Sequence, residues 1–228
     1  MAIADNRSSR DAILGRVRRA LHHDGSRDAA RAAAAAYVAA HASGPRPATP
    51  ADLVAHFRKR ATDMASTVEP IATVADIPAA VARYLDALVL PPALAAQQTR
   101  QGVCWPEFAG LDWQGAGLAI EARPTHGHDR LGITGCMCAI AETGTLVFTT
   151  GADTPTATAL LPDTHIAVLR ADRVVPGMED AFALIRRERT VMPRAVNMIS
   201  GPSRTGDIEQ TIVLGAHGPF RVHILVLS

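Results

Sequence analysis

One short segment of the chain combines a carboxylate, two hydroxyls and a glycine between two apolar runs: Glu142-Thr-Gly-Thr145. The run at 146–150 is short and rich in β-branched and aromatic residues, which predicts a strand entered through a tight turn. Gly144 would allow a positive φ angle or a close backbone approach there. We expect Glu142 at a strand end where α/β sheets bind ligands, with Thr143, Gly144 and Thr145 as binding groups. Alternatively, Glu142 accepts hydrogen bonds from amides of its own turn and holds the loop in shape.

A second polar segment, at 200–209, resembles a cradle for an anion. Backbone amides around Gly201, hydroxyls of Ser203 and Thr205, and the Arg204 guanidinium would suit a carboxylate or phosphate, with Asp207 in the same loop. Alternatively, Ser203 or Thr205 caps a helix whose first turn contains Asp207. We expect this loop and the Glu142 turn to face one crevice.

His217 follows this loop and is flanked by Gly215, Gly218 and Pro219, which indicates a sharp turn. Its imidazole could contact a ligand in the crevice or serve only to hold the loop. Our hypothesis is that Glu142 and His217 orient the ligand or exchange protons with it, while Arg204 pairs with its anionic group.

The three cysteines do not indicate a metal cluster. Cys136 and Cys138 form a Cys-x-Cys pair, but with Cys104 they fall short of the four thiolates that a common iron–sulfur cluster needs. We interpret the pair as small buried residues on one face of a strand. An odd number of cysteines in a chain of this size also favours reduced thiols over a disulfide framework.

Other motifs that would identify a chemistry are missing from the sequence. His126, His128 and Asp129 are possible metal ligands at close spacing, yet they lack the His-x-x-x-His spacing of hydrolytic zinc sites. We therefore predict no metal site. Neither a Gly-x-Gly-x-x-Gly after a strand nor a Gly-x-Ser-x-Gly elbow occurs, so dinucleotide-dependent and serine-hydrolase functions have no motif in their favour.

The overall composition is that of a soluble α/β protein. The 228 residues include 23 basic and 22 acidic side chains without a long block of one sign, which argues against a nucleic-acid partner. No apolar run approaches the roughly 18 residues of a membrane span, and the N-terminus lacks a signal-peptide pattern. We expect a cytoplasmic protein.

Two parts of the chain differ in their patterning. Helical periodicity at 12–21 and an alanine-rich stretch at 28–42 predict an N-terminal helical arm over residues 1–45. Thr49 and Pro50 would then cap and begin a helix that opens an α/β domain at 50–228. From about residue 66, apolar runs alternate with helical segments, which predicts a mostly parallel sheet with helices on both faces. Strands are expected at 67–71, 118–122, 165–169, 173–175 and 222–227.

Several motifs in the same order resemble the LUD-domain family. They are residues 139–147, Leu161-Pro162 ahead of His165-Ile166, the loop at 201–209 and residues 214–219, with the helix at 13–21 adding to the likeness. The resemblance implies a fold like the NagB/RpiA/CoA-transferase group. It also implies a role in oxidising L-lactate to pyruvate together with iron–sulfur partner proteins, which would hold the redox centres.

This resemblance suggests three functions for the predicted site. In the first, a lactate-utilization subunit binds a small carboxylate or a cofactor between the Glu142 turn and the loop at 203–207. The second is acyl transfer, because CoA transferases carry a nucleophilic glutamate at a Glu-x-Gly turn and Glu142-Thr-Gly144 has a similar form. The third is a non-catalytic scaffold for iron–sulfur partners, in which the polar loops only cap helices.

Overall fold

A computed structural model describes residues 7–21, 27–40, 42, 44–89, 100–206 and 213–228. Contacts within the chain divide it into two units, residues 1–47 and 48–228. The first unit contains two helices, α1 (Arg7–Ala20) and α2 (Arg27–Ala40), and α2 buries none of its residues. Within the described ranges, no helix is both long and apolar enough to cross a bilayer.

The second unit is an α/β structure. Its helices are α3 (Leu53–Asp63), α4 (Ile77–Asp86), α5 (Ala157–Leu160) and α6 (Met178–Glu188). Its strands are β1 (Thr67–Ile71), β2 (Gln101–Cys104), β3 (Ala119–Ala122), β4 (Leu131–Thr134), β5 (Cys138–Ile140), β6 (Thr145–Thr149), β7 (Thr164–Arg170), β8 (Val174–Val175), β9 (Val196–Ile199), β10 (Arg204–Thr205), β11 (Val213–Leu214) and β12 (Arg221–Leu227). Short 3₁₀ turns occupy Val74–Asp76, Pro106–Phe108 and Ala171–Arg173.

Six strands form a parallel sheet in the order β1-β12-β7-β4-β2-β3. Its central strands are continuously buried rather than alternating, and β7 is buried from its first residue to its sixth, as expected for a sheet covered on both faces. The α/β class and the mostly parallel sheet are therefore confirmed. A second sheet, β8-β5-β6-β9, contains antiparallel pairs, which the sequence did not indicate.

The two faces of the parallel sheet are covered differently. His165 on β7 lies beside Val222 of β12, and its ring is 5.6 Å from that of Phe148 on the second sheet. His223, one residue further along β12, points to the opposite face, because side chains alternate along a strand. There its ring stacks on Tyr84 of α4 at 4.1 Å. The second sheet thus covers one face and α4 the other.

The second sheet is itself buried on two sides. Ala139, Leu146 and Phe148 face the main core, whereas Cys138 and Val147 pack against α6. Cys136 lies outside β5 and packs against the main core, so the prediction that both thiols face one side of a strand is wrong. The strand begins at Cys138, where the chain has already turned away from the end of β4.

The predicted start of the first helix of this unit is also wrong. Thr49 and Pro50 lie outside the helix, which begins at Leu53. Asp52 is its N-cap, with the carboxylate accepting a 2.9 Å hydrogen bond from the Ala55 amide. Asp and Thr are both good N-cap residues, but Asp52 adds a negative charge at the positive end of the helix.

The end of α3 requires glycine in two loops of the domain. Gly144 has a φ of +67°, and a Cβ on it would overlap the backbone of Ala61. Gly201 has a φ of +79°, and a Cβ on it would overlap the carbonyl oxygen of Met64. Both loops can therefore approach the helix only without a side chain at these positions.

We expect Gly144→Ala to lower the free energy of unfolding by at least about 2 kcal/mol, because the backbone conformation and the overlap with α3 both disfavour a Cβ. Gly110→Ala is the matched control, since nothing lies within 4 Å of the added Cβ and its effect should stay within about 0.5 kcal/mol. Urea unfolding of both variants measures the difference. Equal stability of the two would contradict this account of the turn.

Two buried histidines should make stability depend on pH. Burial lowers the pKa of His165 to about 3 and that of His223 to about 4. In the unfolded chain both titrate near about 6.5, so the unfolded state binds more protons below that pH. Stability is then complete above about pH 6.5 and declines as the pH falls toward the folded-state values, by about 2 kcal/mol per histidine at pH 5.

Urea titrations at pH 8 and pH 5 test this expectation. His223→Gln should reduce the loss at pH 5 by about 2 kcal/mol. His217→Gln, at an exposed turn position, should leave the loss unchanged. The interpretation fails if the wild-type protein is equally stable at both pH values.

Candidate functional site

The sequence-predicted site residues gather around the C-terminal end of α3. The Arg60 guanidinium donates to the Glu142 carbonyl oxygen at 3.3 Å, and Arg204 donates to the Met64 carbonyl oxygen at 3.3 Å. Hydroxyls link the two loops, since Thr145 lies 2.6 Å from both Thr143 and Ser200. The Glu142 turn and the 200–204 segment are therefore neighbours.

A second set of contacts joins Ser203 to the His217 turn. The Ser203 amide donates to the Pro219 carbonyl at 2.9 Å, and the Gly215 amide donates to the Ser203 carbonyl at 3.0 Å. The Ser203 hydroxyl accepts from the His217 amide at 3.4 Å. The imidazole of His217 is exposed, and only its backbone enters these contacts among the described residues.

Arg204 and Thr205 belong to a two-stranded ribbon, because β10 pairs with β11. Asp207 lies outside the described residues. The Glu142 carboxylate is exposed and forms no hydrogen bond or ion pair with a described residue. Of the predicted binding groups, Gly144 and Thr145 are buried, and Thr143 and Arg204 are exposed.

This cluster lies at the amino edge of the parallel sheet, where its strands begin. α3 leads directly into the first residue of β1, and β12 begins just after the His217 turn. The hairpin β5–β6 runs from Met137, near the opposite edge, to the Glu142 turn and back. The four residue steps of β6 cover roughly 13 Å, so Glu142 is far from the edge at which parallel sheets normally bind ligands.

A crevice of about 380 Å³ opens at the carboxyl edge instead. It is lined by residues just beyond β2 and β4, at the ends of β7 and β12, and at the end of β6 that lies farther from the Glu142 turn. Its volume falls in the range of small-molecule sites, and its position is the one expected for ligands of open α/β sheets. The lining residues are Val74, Trp105, Glu107, Phe108, Gly135, Cys136, Met137, Thr149, Thr154, Val168, Arg170, Arg173, Arg189 and Leu227.

Three arginines line this crevice, and they differ in their partners. Arg170 donates to both oxygens of Asp172, at 3.1 and 2.8 Å. Arg173 forms a bidentate pair with Glu188, at 2.6 and 2.8 Å, and also donates to the Met137 carbonyl at 2.9 Å. Each of these two guanidinium groups is thus paired with a carboxylate of its own, and the ion pairs also raise the pKa of both groups.

Arg189 is the crevice arginine that forms no ion pair with a described residue. It follows the last residue of α6, and its guanidinium donates to the Thr149 hydroxyl at 3.5 Å. The neighbouring Glu188 is held by Arg173. Most of the donors of Arg189 thus remain available for an anion, which a guanidinium can bind in a bidentate manner.

Glu107 is the acidic residue of the crevice. It lies on the 3₁₀ turn after β2, and its carboxylate packs so closely on Gly135 that a Cβ there would overlap it. The residue as a whole is exposed, but partial burial of its carboxyl group raises the pKa of Glu107, and the hydrogen bond from the Gly135 amide partly offsets this effect. A carboxyl group with a raised pKa in a crevice is a candidate for proton exchange.

The thiol groups near the crevice are protonated; Cys104 is buried and Cys136 is half-buried. Burial raises the pKa of Cys104 to about 11 and also raises that of Cys136. A thiol of this kind is a weak nucleophile at neutral pH. Among the described residues, no group of three or more His, Cys, Asp or Glu side chains is placed to hold a metal ion.

The loop with His126 and His128 has a structural explanation. Its Asp129 accepts two hydrogen bonds from Arg123, at 2.9 and 2.8 Å, one from the Thr125 hydroxyl and one from the His126 amide. The carboxylate is therefore fully used in shaping the loop, and these contacts hold the pKa of Asp129 well below its usual range.

Sequence reasoning missed the crevice because its residues do not form a motif. Glu107, Arg173 and Arg189 are more than 15 positions apart along the chain and come together only through the order of the strands. One signal was available. Strands predicted at 165–169 and 222–227 would end beside each other if parallel, which makes the residues at their ends candidates.

Comparison with known proteins identifies relatives of this chain. Residues 109–227 match the LUD domain family. Lactate utilization protein C of Deinococcus radiodurans is 30% identical over 195 residues, which cover 81% of this chain and 84% of that protein. The Bacillus licheniformis protein of that name is 31% identical over 128 residues, and the match spans about half of its length, 53%.

A solved structure agrees with these matches. The crystal structure of a DUF162 family protein from Deinococcus radiodurans aligns with a TM-score of 0.54 and 26% sequence identity. The alignment covers 80% of this chain and all of that one. In both sequence and structure, the chain belongs to the LUD domain family.

Proposed function

We propose that this protein takes part in lactate utilization and binds a small carboxylate in the carboxyl-edge crevice. The observation that carries the proposal is Arg189, a guanidinium that lines the crevice without an ion-pair partner among the described residues. The names of its relatives, lactate utilization protein C, support the metabolic role. Lactate and pyruvate both carry the single carboxylate that such a guanidinium would pair with.

The crevice offers a small acid two kinds of contact. Arg189 would hold the carboxylate in a bidentate pair, with the Thr149 hydroxyl fixing the guanidinium. Trp105, Phe108 and Val168 provide apolar surface for the carbon skeleton. Trp105 is itself held in place, because its indole N–H donates to the Pro155 carbonyl at 3.2 Å.

Oxidation of L-lactate to pyruvate removes two electrons and two protons from the substrate. We propose that this chain binds the acid in the cytoplasm, that iron–sulfur partner proteins receive the two electrons, and that the two protons pass to solvent. The chain's three cysteines are fewer than one common iron–sulfur cluster needs, which supports the proposal that such clusters would lie in partner proteins. The cluster around Glu142, Ser203 and Arg204, at the opposite edge of the sheet, would then be free for another task.

The binding site is tested by Arg189→Gln. Loss of a charge-assisted pair costs about 1.5–3 kcal/mol, so the dissociation constant for L-lactate or pyruvate should rise at least about tenfold. Arg58→Gln, on the exposed face of α3, removes the same charge and should leave binding unchanged. Thermal stability against increasing ligand concentration measures both variants.

The same pair of variants tests the metabolic role in cells. The wild-type gene and Arg58→Gln should restore growth on lactate to a bacterium that lacks its own lactate utilization protein C, whereas Arg189→Gln should not. Full growth with Arg189→Gln, at equal protein levels, would remove the crevice from the proposal. Failure of the wild-type gene would count against the metabolic role itself.

One observation favours acyl transfer as a second candidate function. The Glu142 carboxylate is exposed and unpaired among the described residues, on a turn that Gly144 and Arg60 hold rigidly against α3. A fixed, accessible carboxylate is what nucleophilic attack on an acyl thioester requires.

Incubation with an acyl-CoA, followed by mass spectrometry, tests this second function. Acyl transfer predicts a covalent adduct on the peptide that contains Glu142 and none in Glu142→Gln. Glu179→Gln, an exposed acid at the start of α6, is the control and should leave the adduct unchanged. Absence of an adduct across short-chain and hydroxylated acyl groups would argue against acyl transfer.

A further inference from the structure

The position of Glu107 adds a second recognition element to the crevice. Its side chain lines the same cavity as Arg189, and neither residue forms an ion pair with the other or with any described residue. The close contact with Gly135 fixes the carboxyl group at the end of β4. An acid and a cation that line one cavity can contact two different groups of one ligand.

We propose that Glu107 recognises the oxygen on the carbon next to the ligand's carboxylate, donating to a 2-oxo group when neutral and accepting from a 2-hydroxyl group when ionised. This inference rests on the proposed carboxylate site. It assigns 2-oxo and 2-hydroxy acids as the ligand class and gives the two members of a redox pair opposite dependences on pH.

Hydrogen-bond chemistry dictates the two protonation states. A ketone oxygen has lone pairs and no proton, so it needs a donor, and an ionised carboxylate offers none. A hydroxyl group can donate, and an ionised carboxylate is its best acceptor. Bringing a second carboxylate into the cavity also favours the neutral form of Glu107 when the ligand has no hydroxyl to offer.

The surroundings of Glu107 make both states accessible. Burial disfavours its charge, while the Gly135 amide stabilises it, and the net effect is a raised pKa. The other titratable groups that face it from neighbouring elements are the thiols of Cys104 and Cys136, whose raised pKa values keep them neutral. Arg170, Arg173 and Arg189 supply the other charges among the described lining residues.

Among the described lining residues there is no histidine, and Glu107, whose pKa is raised, is their one carboxyl group, so it is the candidate for any titration between pH 5 and pH 8. The ligands themselves remain ionised there, because carboxyl groups beside an electron-withdrawing substituent titrate near about 3.5. A pH dependence of binding in this window therefore reports on Glu107.

Isothermal titration of the full chain with sodium pyruvate and sodium L-lactate between pH 5 and pH 8 tests the proposal. Pyruvate affinity should fall by up to about tenfold for each pH unit above the pKa of Glu107. L-lactate affinity should rise with pH and then level off. Titrations in two buffers of different ionisation enthalpy should show proton uptake with pyruvate, and sodium chloride serves as the salt control.

Glu107→Gln separates this inference from the site itself. Its amide can donate or accept at every pH, so both acids should still bind and both pH dependences should disappear. Parallel, flat profiles for both acids in the wild-type protein would overturn the role of Glu107 while leaving the Arg189 site in place. Absence of binding at every pH would overturn the site and this inference together.

Discussion

The packing of Phe148 between the two sheets positions one wall of the carboxyl-edge crevice. This ring is fully buried, meets Trp105 edge-on at 6.2 Å and lies 5.6 Å from the His165 ring. It fixes the second sheet over one face of the parallel sheet, so that the next residue, Thr149, reaches the carboxyl edge. Without this contact the position of the β5–β6 hairpin along the parallel strands would not be fixed. The crevice would then lose the wall that Thr149 contributes.

The same packing separates the polar groups of the chain into two clusters. One end of β6 holds the Glu142 turn against α3 at the amino edge, and the other end holds Thr149 and Arg189 at the carboxyl edge. A short strand is rigid when it is buried on both faces, so the two clusters cannot merge by a local movement. Any chemistry that uses both would need a ligand about as long as the strand.

The sequence predicted several of the strands but not the carboxyl-edge crevice, for a physical reason. The continuous apolar pattern of β7 and β12 is a local consequence of burial on both faces, and it can be read directly from adjacent residues. The glycine at 144 was also informative, because the turn and the contact with α3 both exclude a side chain. The edge at which Glu142 lies depends instead on the direction in which the hairpin crosses the sheet.

The ion-pair partners of the crevice arginines could not be predicted from the sequence either. Arg170, Arg173 and Arg189 look alike in the sequence, and only the folded chain shows that Asp172 and Glu188 occupy the first two. The N-cap at Asp52 in place of Thr49 is a smaller case of the same kind, in which two suitable residues compete and tertiary packing decides.

The pairing of the crevice arginines has a consequence for how the site can work. Three unpaired cations in one cavity would repel each other and bind anions with little selectivity. Pairing two of them within the chain leaves Arg189 as the cation without an ion pair among the described lining residues, in a cavity that Glu107, a carboxyl group with a raised pKa, also lines. In the proposed site a single negative charge would therefore be matched most readily, whereas each additional negative charge of a dicarboxylate or polyphosphate would lack a partner among the described lining residues.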